Sequence, residues 1–272
     1  MTGAFRHFEK AQWQRAAEPY DLHWSRLTGQ AVPALLASLG LAPGAQLLDV
    51  ACGPGHLAAA AAGQGAEVVA ADFAAAMLAR ARALHAGLRL VRGDAERLPF
   101  ASSSFEAVAM NFGILHLEAP EHAIEEAHRV LSPGGRVGFT AWRPDEGGVF
   151  ASVLEAVRRH GRPVELPAGP AFFGFGDPAQ CSAALERAGF REVATRPLDL
   201  RWRLESPDDL FWAFHRGTAR TGALLRGQDG EARDRIAEAV RDAAAGFAAP
   251  EGWVEVPMPA LLAHARKPLG AS

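Results

Sequence analysis

Hydrophobic positions follow two rhythms along this chain. Over residues 7–18 and 22–39 they recur at helical spacing, which predicts two helices, interrupted at Pro19 and ended by Gly40 and Pro43. From residue 45 the rhythm changes. Short apolar runs at 45–50 (AQLLDV), 66–71 (AEVVAA), 88–92, 105–111 and 136–142 read as strands. Helix-compatible segments lie between most of them: an alanine-rich stretch up to Gln64, residues 74–85, and residues 120–131 with Ala123, Ile124, Ala127, Val130 and Leu131 on one face. Such alternation predicts repeated β-α-β units, hence a parallel sheet with helices on both faces.

The second half keeps this grammar more loosely. Residues 149–160 and 178–188 read as helices around a Pro/Gly/Phe-rich stretch, RPVELPAGPAFFGFGD. Residues 191–204 are extended in character, with Val193, Thr195, Leu198, Leu200, Trp202 and Leu204 largely alternating. Helices are expected over 207–225 and 231–248, and a last strand within 258–265. The expected organisation is one α/β domain over residues 1–272. It has an N-terminal helical lid (1–40), a binding core (41–148), and the remaining strands with a helical cap over the site (149–272).

Composition narrows the function classes. At 272 residues and 49% hydrophobic content the chain can bury a core without disulfides or a structural metal, and it is not disordered. With 28 basic against 31 acidic residues, a net charge of −3, it does not read as a nucleic-acid binder. No run of 18 apolar residues occurs, and the charged start lacks the apolar block of a signal peptide. Cys52 and Cys181 show no metal-ligand spacing; they fit a reduced, cytoplasmic protein and leave one disulfide pairing open. Neither the cysteines nor the ten histidines form a metal-binding pattern, so no metal is expected.

In an open parallel sheet, ligands bind beyond the C-terminal strand ends, where the strand order reverses. The loop after the first strand, LLDVACGPGHLA, is therefore the leading candidate: Gly53 and Gly55 permit a sharp turn and close approach to main-chain N–H groups. Taken alone, G-x-G-x-x-A also fits nicotinamide and flavin binders, or a tight strand-to-helix turn. Asp72 follows the second run directly, where a carboxylate can accept both hydroxyl hydrogens of a ribose, and the same residue can cap the next helix. Asp94, in Gly93-Asp94-Ala95 after the third run, can accept from an adenine amino group. Asn111-Phe112-Gly113 follows the fourth. The segment 131–135 (LSPGG) reads as architecture that stops a helix and reverses the chain.

Five segments in order, LLDVACGPG (47–55), VVAADFAAAML (68–78), GDAERLPF (93–100), FEAVAMNFGILHL (105–117) and HRVLSPGGRVGFTAW (128–142), carry a family resemblance. The chain resembles the class I S-adenosylmethionine-dependent methyltransferases, in the ubiquinone/menaquinone-biosynthesis-like group of small-molecule enzymes. That resemblance implies a Rossmann-like, doubly wound, mostly parallel seven-stranded sheet. It implies S-adenosyl-L-methionine as cofactor and S-adenosyl-L-homocysteine as product. It covers about half the chain; residues 1–40 and 150–272 resemble the family in architecture only.

By the same resemblance, Asp49 and the backbone of Ala51, Cys52, Gly53 and Gly55 would hold the methionine part of the cofactor, and Asp72 the ribose. Phe73 and Met77 would supply apolar contact, Asp94 and Ala95 would meet the adenine edge, and Asn111 with Phe112 would lie near the amino acid end or sulfonium. Tyr20, the only tyrosine, would reach the cofactor from the N-terminal lid or pack with Trp13 and Trp24. Methyl transfer needs mainly alignment and exclusion of water, since the cofactor carries the activated group. For an acceptor that must lose a proton, His116 in GILHL is the first choice of general base, His215 the second and His23 the third. His116 could equally serve as a polar residue at a helix start, and His215, among Phe211, Trp212 and Phe214, as a core or lid histidine. An apolar acceptor pocket would draw on Phe112, Trp142, Phe172, Phe173, Phe175, Trp212 and Phe214, several of which would instead pack the inserted helices.

The expected reaction is methylation of an O, N or C atom of a small aromatic or lipophilic molecule, with no nucleic-acid partner and no membrane span. A homodimer is the assembly to test. Rival readings are a non-methyl-transfer reaction such as cyclisation on the same fold, an RNA or protein methyltransferase, and a nucleotide-binding module. A dehydrogenase fits less well, because Asp49 in DVACGPG and the later GDA and PGG segments follow the methyltransferase pattern.

Overall fold

The computed structural model describes residues 3–144 and 148–270. In chain order, the first half contains α1 (Ala4–His23), α2 (Ser25–Thr28), α3 (Val32–Leu39), β1 (Gln46–Val50), α4 (His56–Gly63), β2 (Glu67–Asp72), α5 (Ala75–Leu84), β3 (Arg89–Arg92), β4 (Phe105–Asn111), α6 (Pro120–Val130) and β5 (Leu131–Trp142). Then come α7 (Val149–His160), α8 (Pro178–Arg187), β6 (Arg191–Leu204), α9 (Asp208–Gly217), α10 (Arg220–Arg226), α11 (Gly230–Ala245) and β7 (Val254–Arg266). Two compact units result. The first takes its described residues from Met1–Leu27, Pro144–Ala168 and Asp199–Pro259, the second from Thr28–Arg143, Gly169–Leu198 and Ala260–Ser272.

The sheet has seven strands in the order β3-β2-β1-β4-β5-β7-β6. The pairings among β1 to β5 are parallel, and β7 runs antiparallel to β5, from Trp142↔Ala260 to Arg136↔Arg266. This is the mostly parallel, doubly wound sheet expected from the sequence. The order reverses between β1 and β4, where Leu47 pairs with Ala107 and Asp49 with Ala109.

The central strands β1, β2 and β4 are largely apolar because both of their faces are covered. On one face Leu48, Val50, Val69, Ala71, Val108 and Met110 pack with Ile124 and Ala127 of α6 and Ala184 and Leu185 of α8. On the other, Leu47, Val68, Ala70, Ala107 and Ala109 meet Leu35 and Leu39 of α3 and Leu57 and Ala61 of α4. That second face explains why residues 32–39, expected with the N-terminal lid, cluster with the sheet unit instead.

Three helix boundaries differ from expectation. Helix α1 continues through Pro19 to His23, and the break falls at Trp24, whose N–H donates to the Tyr20 carbonyl at 2.7 Å. A proline inside a helix costs about 3 kcal/mol. Here burial of Phe5, Trp13, Ala16 and Ala17 along one α1 face offsets it. The expected helix over 22–39 is segmented: a 3-10 turn, Gly29–Ala31, separates α2 from α3, whose first turn holds Pro33. The expected helix over 207–225 divides at Thr218, whose hydroxyl donates to the Phe214 carbonyl at 2.7 Å and accepts from Gly222 N at 2.8 Å. One side chain thus closes α9 and opens α10.

In the first unit Trp24 is buried against Phe150, Trp202 and Phe214, at ring separations of 6.2, 4.3 and 5.0 Å, and its Nε1 donates to the Ala213 carbonyl. Glu9 of α1 is wholly buried, accepting from Trp13 Nε1 at 3.1 Å and Arg220 Nε at 3.0 Å. No helix among the described residues is long and apolar enough to cross a membrane.

Candidate functional site

The second unit gathers its chemistry at the C-terminal ends of β1, β2 and β4. After β1 the chain turns through Ala51 (φ 53°), Gly53 (φ 52°) and Gly55 (φ 84°), all left-handed, before α4 begins. For Gly53 and Gly55 this costs little; for Ala51 it is strained backbone of the kind found at ligand sites. A Cβ on Gly55 would also stand 3.1 Å from the side chains of Ala81 and Leu88. The turn is held from below: Asp49 Oδ2 accepts from Ala58 N at 3.1 Å, and Cys52 N donates to the Ala71 carbonyl at 3.0 Å.

Asp72 ends β2 and joins two of these segments. Its Oδ2 accepts from Gly53 N at 2.9 Å, and its Oδ1 from Ala74 N at 2.8 Å at the start of α5. It is thus a helix-starting acceptor and part of the glycine loop at once. Met77 of α5 reaches the same place, since its sulfur would lie 3.9 Å from a Cβ at Gly53. Both carboxyls are buried with backbone N–H partners and no basic side chain bonded to them among the described residues. Burial therefore dominates their ionisation. Asp49 is raised to about 8, with the Asp72 charge adding to the effect, and Asp72 to about 6. Burial likewise pushes the Cys52 thiol well above its usual range, and both cysteines are free.

At the end of β4, Phe112 is left-handed (φ 55°), and its N–H donates to Thr140 Oγ1 at 2.9 Å. The Thr140 hydroxyl donates in turn to Asn111 Oδ1 at 2.7 Å, while Asn111 Nδ2 donates to the Thr28 carbonyl at 3.0 Å. Thr140 is wholly buried and lies opposite Asn111 in the β4–β5 register. Sequence reasoning passed over it; a lone hydroxyl within the apolar run of β5 is the signal that marks it. Phe112 stacks on Trp142 with ring centroids 4.0 Å apart, and both are buried.

Where β1 and β4 diverge, a Cβ at Gly113 would lie 2.7 Å from Ala51 Cβ and from Met110 Cγ. Gly113→Ala is expected to cost about 1–3 kcal/mol by overpacking and to displace the Ala51 turn. A urea melt measures the first, and nucleotide binding by calorimetry the second.

Around this crevice, Asp94 Oδ1 accepts from Glu96 N at 3.0 Å, and Ala95 is buried. His116 ends a 3-10 turn, with its ring 6.1 Å from Phe172 in a T-shaped contact; Phe172 meets Phe173 at 4.9 Å. Phe175 is a core residue, packed on Phe139 at 5.9 Å, with its carbonyl accepting from Cys181 Sγ.

The remaining candidates belong to the first unit. Tyr20 is half-buried edge-on to Trp13 at 5.4 Å, and Phe214 is wholly buried against Trp24. Trp212 is 38% exposed, with the Arg216 guanidinium 4.6 Å over its ring. Burial holds His23 below its ordinary range. His215 is lowered to about 4 by burial and then by surrounding arginines, so at neutral pH it is uncharged and a weak base. No group of three or more metal-ligating side chains occurs among the described residues.

Comparison with known proteins agrees with this geometry. Residues 48–139 match the methyltransferase domain family. The chain is 36% identical over 135 residues to a malonyl-[acyl-carrier protein] O-methyltransferase of Enterobacter lignolyticus, covering 50% of this chain and 53% of the relative. It is 41% identical over 117 residues to a demethylmenaquinone methyltransferase of Beutenbergia cavernae, covering 43% and 46%. The chain therefore spans about half the length of the curated relatives it matches. Among solved structures, the [4+2]-cyclase SpnF superposes with a TM-score of 0.56 at 23% identity, covering 91% of this chain and 84% of that one, a likeness of fold.

Proposed function

We propose that the whole protein transfers the methyl group of S-adenosylmethionine to an O, N or C atom of a small organic acceptor, a reading supported by the match of residues 48–139 to the methyltransferase domain family. One observation carries this reading. Two buried carboxyls, Asp49 and Asp72, flank a left-handed turn at the reversal of strand order, and neither is bonded to a basic side chain. A buried site with surplus carboxylate suits a ligand that brings its own positive charge and its own hydroxyl donors. The cofactor supplies a methyl group on positively charged sulfur, already activated for displacement.

The chain's residues do the rest. Asp49 and the 51–55 backbone hold the amino acid end, Asp72 accepts from the ribose hydroxyls, and Met77 with Phe73 covers the apolar side. Asp94 and Ala95 read the adenine edge. Asn111 and Phe112, fixed by Thr140, bound the end of the crevice nearest the reacting carbon. His116, beside Phe172, takes the proton of an acceptor that must lose one. Phe172, Phe173 and Trp142 favour an aromatic or lipophilic acceptor. The two curated relatives are named for different acceptors, a malonyl group on acyl carrier protein and demethylmenaquinone, while sharing similar stretches with this chain. Acceptor choice is accordingly assigned to residues outside the shared stretch.

Calorimetry with S-adenosylhomocysteine and with NAD tests the binding half. Tight binding of the former alone supports the reading, and Asp72→Ala is expected to weaken it by ten- to a hundredfold through lost charge-assisted hydrogen bonds (about 1.5–3 kcal/mol). Transfer of an isotope-labelled methyl group to a small molecule in cell extract tests the chemistry. Binding without label transfer favours a cyclase-type reaction, and preferential binding of NAD overturns the proposal.

A further inference from the structure

One side chain ties together two loops of the second unit. The first loop follows β3 and carries Asp94 and Ala95; the second follows β4 and carries His116. Glu96 of the first loop is half-buried, and its Oε1 accepts from the Glu118 N–H at 2.8 Å. A carboxylate that accepts from a backbone N–H makes a charge-assisted bond, roughly twice as strong as a neutral one. Glu96 is in turn placed by Asp94: its own N–H donates to Asp94 Oδ1 at 3.0 Å, and Arg97 N donates to the Asp94 carbonyl at 3.0 Å. A chain of printed contacts therefore runs from Asp94 through Glu96 to a backbone group two residues beyond His116.

The far end of the first loop is anchored to α6. Leu98 N donates to Glu126 Oε2 at 2.7 Å, and Arg129 donates to the carbonyls of Leu98 at 3.1 Å and Phe100 at 2.8 Å while pairing with Glu126 at 2.6 and 2.8 Å. Residues 98–100 are thus held by a helix, and 94–97 span the gap between that anchor and β3. Below both loops, Ala95, Leu98, Ile114 and Leu117 share one buried cluster. The second loop is a single 3-10 turn, Ile114–His116, closed by His116 N on the Gly113 carbonyl at 3.0 Å and by Leu117 N on the Ile114 carbonyl at 3.4 Å. Hydrogen-bond geometry in such a turn is poor, so the acceptor that Glu96 offers to Glu118 adds to what holds it.

We propose that Glu96 is a positioning residue for methyl transfer: by accepting from Glu118 N, it makes the turn that carries His116 follow the loop that meets the cofactor's adenine. The inference rests on the reading of Asp94 and Ala95 as the adenine contact. A ligand held by those two residues orders 94–97 and, with them, the Glu96 carboxylate. The Glu118 N–H then has its acceptor in place, and the His116 ring is kept in its position 6.1 Å from Phe172, on the acceptor side. Glu96 itself touches neither ligand. Such coupling is reciprocal, so an acceptor that orders the turn tightens cofactor binding by the same factor. Acceptor binding accordingly favours the cofactor-loaded protein.

The test is amide hydrogen exchange of the full chain, with and without S-adenosylhomocysteine, in the parent, Glu96→Gln and Glu96→Ala. Glutamine keeps a side-chain oxygen for the Glu118 N–H, and alanine has none. Calorimetry sets the ligand concentration that saturates each protein. In the parent and in Glu96→Gln, the ligand should slow exchange of the His116 and Leu117 amides by about fivefold or more, and in Glu96→Ala by less than about twofold. If Glu96 merely supported the turn, Glu96→Ala would exchange faster with and without ligand, and the ligand effect would keep its size. That result overturns the proposal, as does a Glu96→Gln variant that behaves like Glu96→Ala. A parent that binds S-adenosylhomocysteine without slowing at His116 and Leu117 also overturns it and leaves the functional reading standing. Absence of binding in the parent overturns both.

Discussion

Replacing Asp49 with asparagine should make the ligand-free protein more stable at pH 8 while making it a poorer cofactor binder. Asp49 is about 8 when folded against 3.8 when exposed, so folding favours its protonated form. A group raised in this way contributes its full stability below the unfolded value and loses it as pH climbs through the folded one. Between about pH 4 and pH 8, then, unfolding releases a proton from Asp49 and stability drains away. Asp72, raised to about 6, adds to the loss up to about pH 6. Four pH units at 1.36 kcal/mol each set an upper bound near 5 kcal/mol for Asp49. The new amide must find partners where the carboxyl had Ala58 N, at a cost of about 1–3 kcal/mol. A net gain of about 2–4 kcal/mol at pH 8, shrinking to zero or reversing at pH 5, is the expected outcome in urea melts. Calorimetry should meanwhile show S-adenosylmethionine binding weakened at least tenfold. A variant less stable than the parent at both pH values would show that Asp49 is structural rather than held in readiness for a charged ligand.

The second large effect concerns Glu9. Its carboxylate is wholly buried, while the Arg220 side chain that pairs with it is 17% exposed and also lies over the Phe5 ring at 4.5 Å. Removing one partner of such a pair strands the other, typically at 3–5 kcal/mol. Glu9→Leu is expected to lose about that much, seen as an early unfolding transition of the helical unit. Replacing both partners, Glu9→Leu with Arg220→Met, should recover most of it, because an apolar pair of similar volume needs no desolvation. If the double variant were as unstable as the single one, the pair would not be the source of the loss.

Legibility from sequence followed burial. Strands β1, β2 and β4 were readable because both of their faces are covered, which makes them short, mostly apolar runs. The glycine turn and the placing of Asp49 and Asp72 beside it were readable because the chain after a parallel strand turns locally. What escaped was set by tertiary contacts. Pro19 reads as a helix end, yet the buried face of α1 carries the helix past it. Thr218 reads as an ordinary helical residue, yet its two backbone hydrogen bonds divide α9 from α10. The first half of β7 was missed because Glu255 and Pro257 interleave with Val254, Val256 and Met258, and only pairing reveals the strand. Glu9 and Thr140 draw their meaning from partners far off in sequence, so no window of residues displays it.

The strand order also governs how the protein can be made. β7 lies between β5 and β6 although it is the last of the seven to leave the ribosome. Until residues 254–266 emerge, β5 has an open edge and β6 has no neighbour in the order. Lys267, just beyond β7, then fastens the join by donating to the carbonyls of His128 and Leu131 at 2.7 Å each. Nascent chains therefore carry an unpaired sheet edge until residues 254–266 are made, a state prone to pairing with other chains. Demand for chaperones should accordingly peak at chain lengths just short of β7 and fall abruptly once it is released.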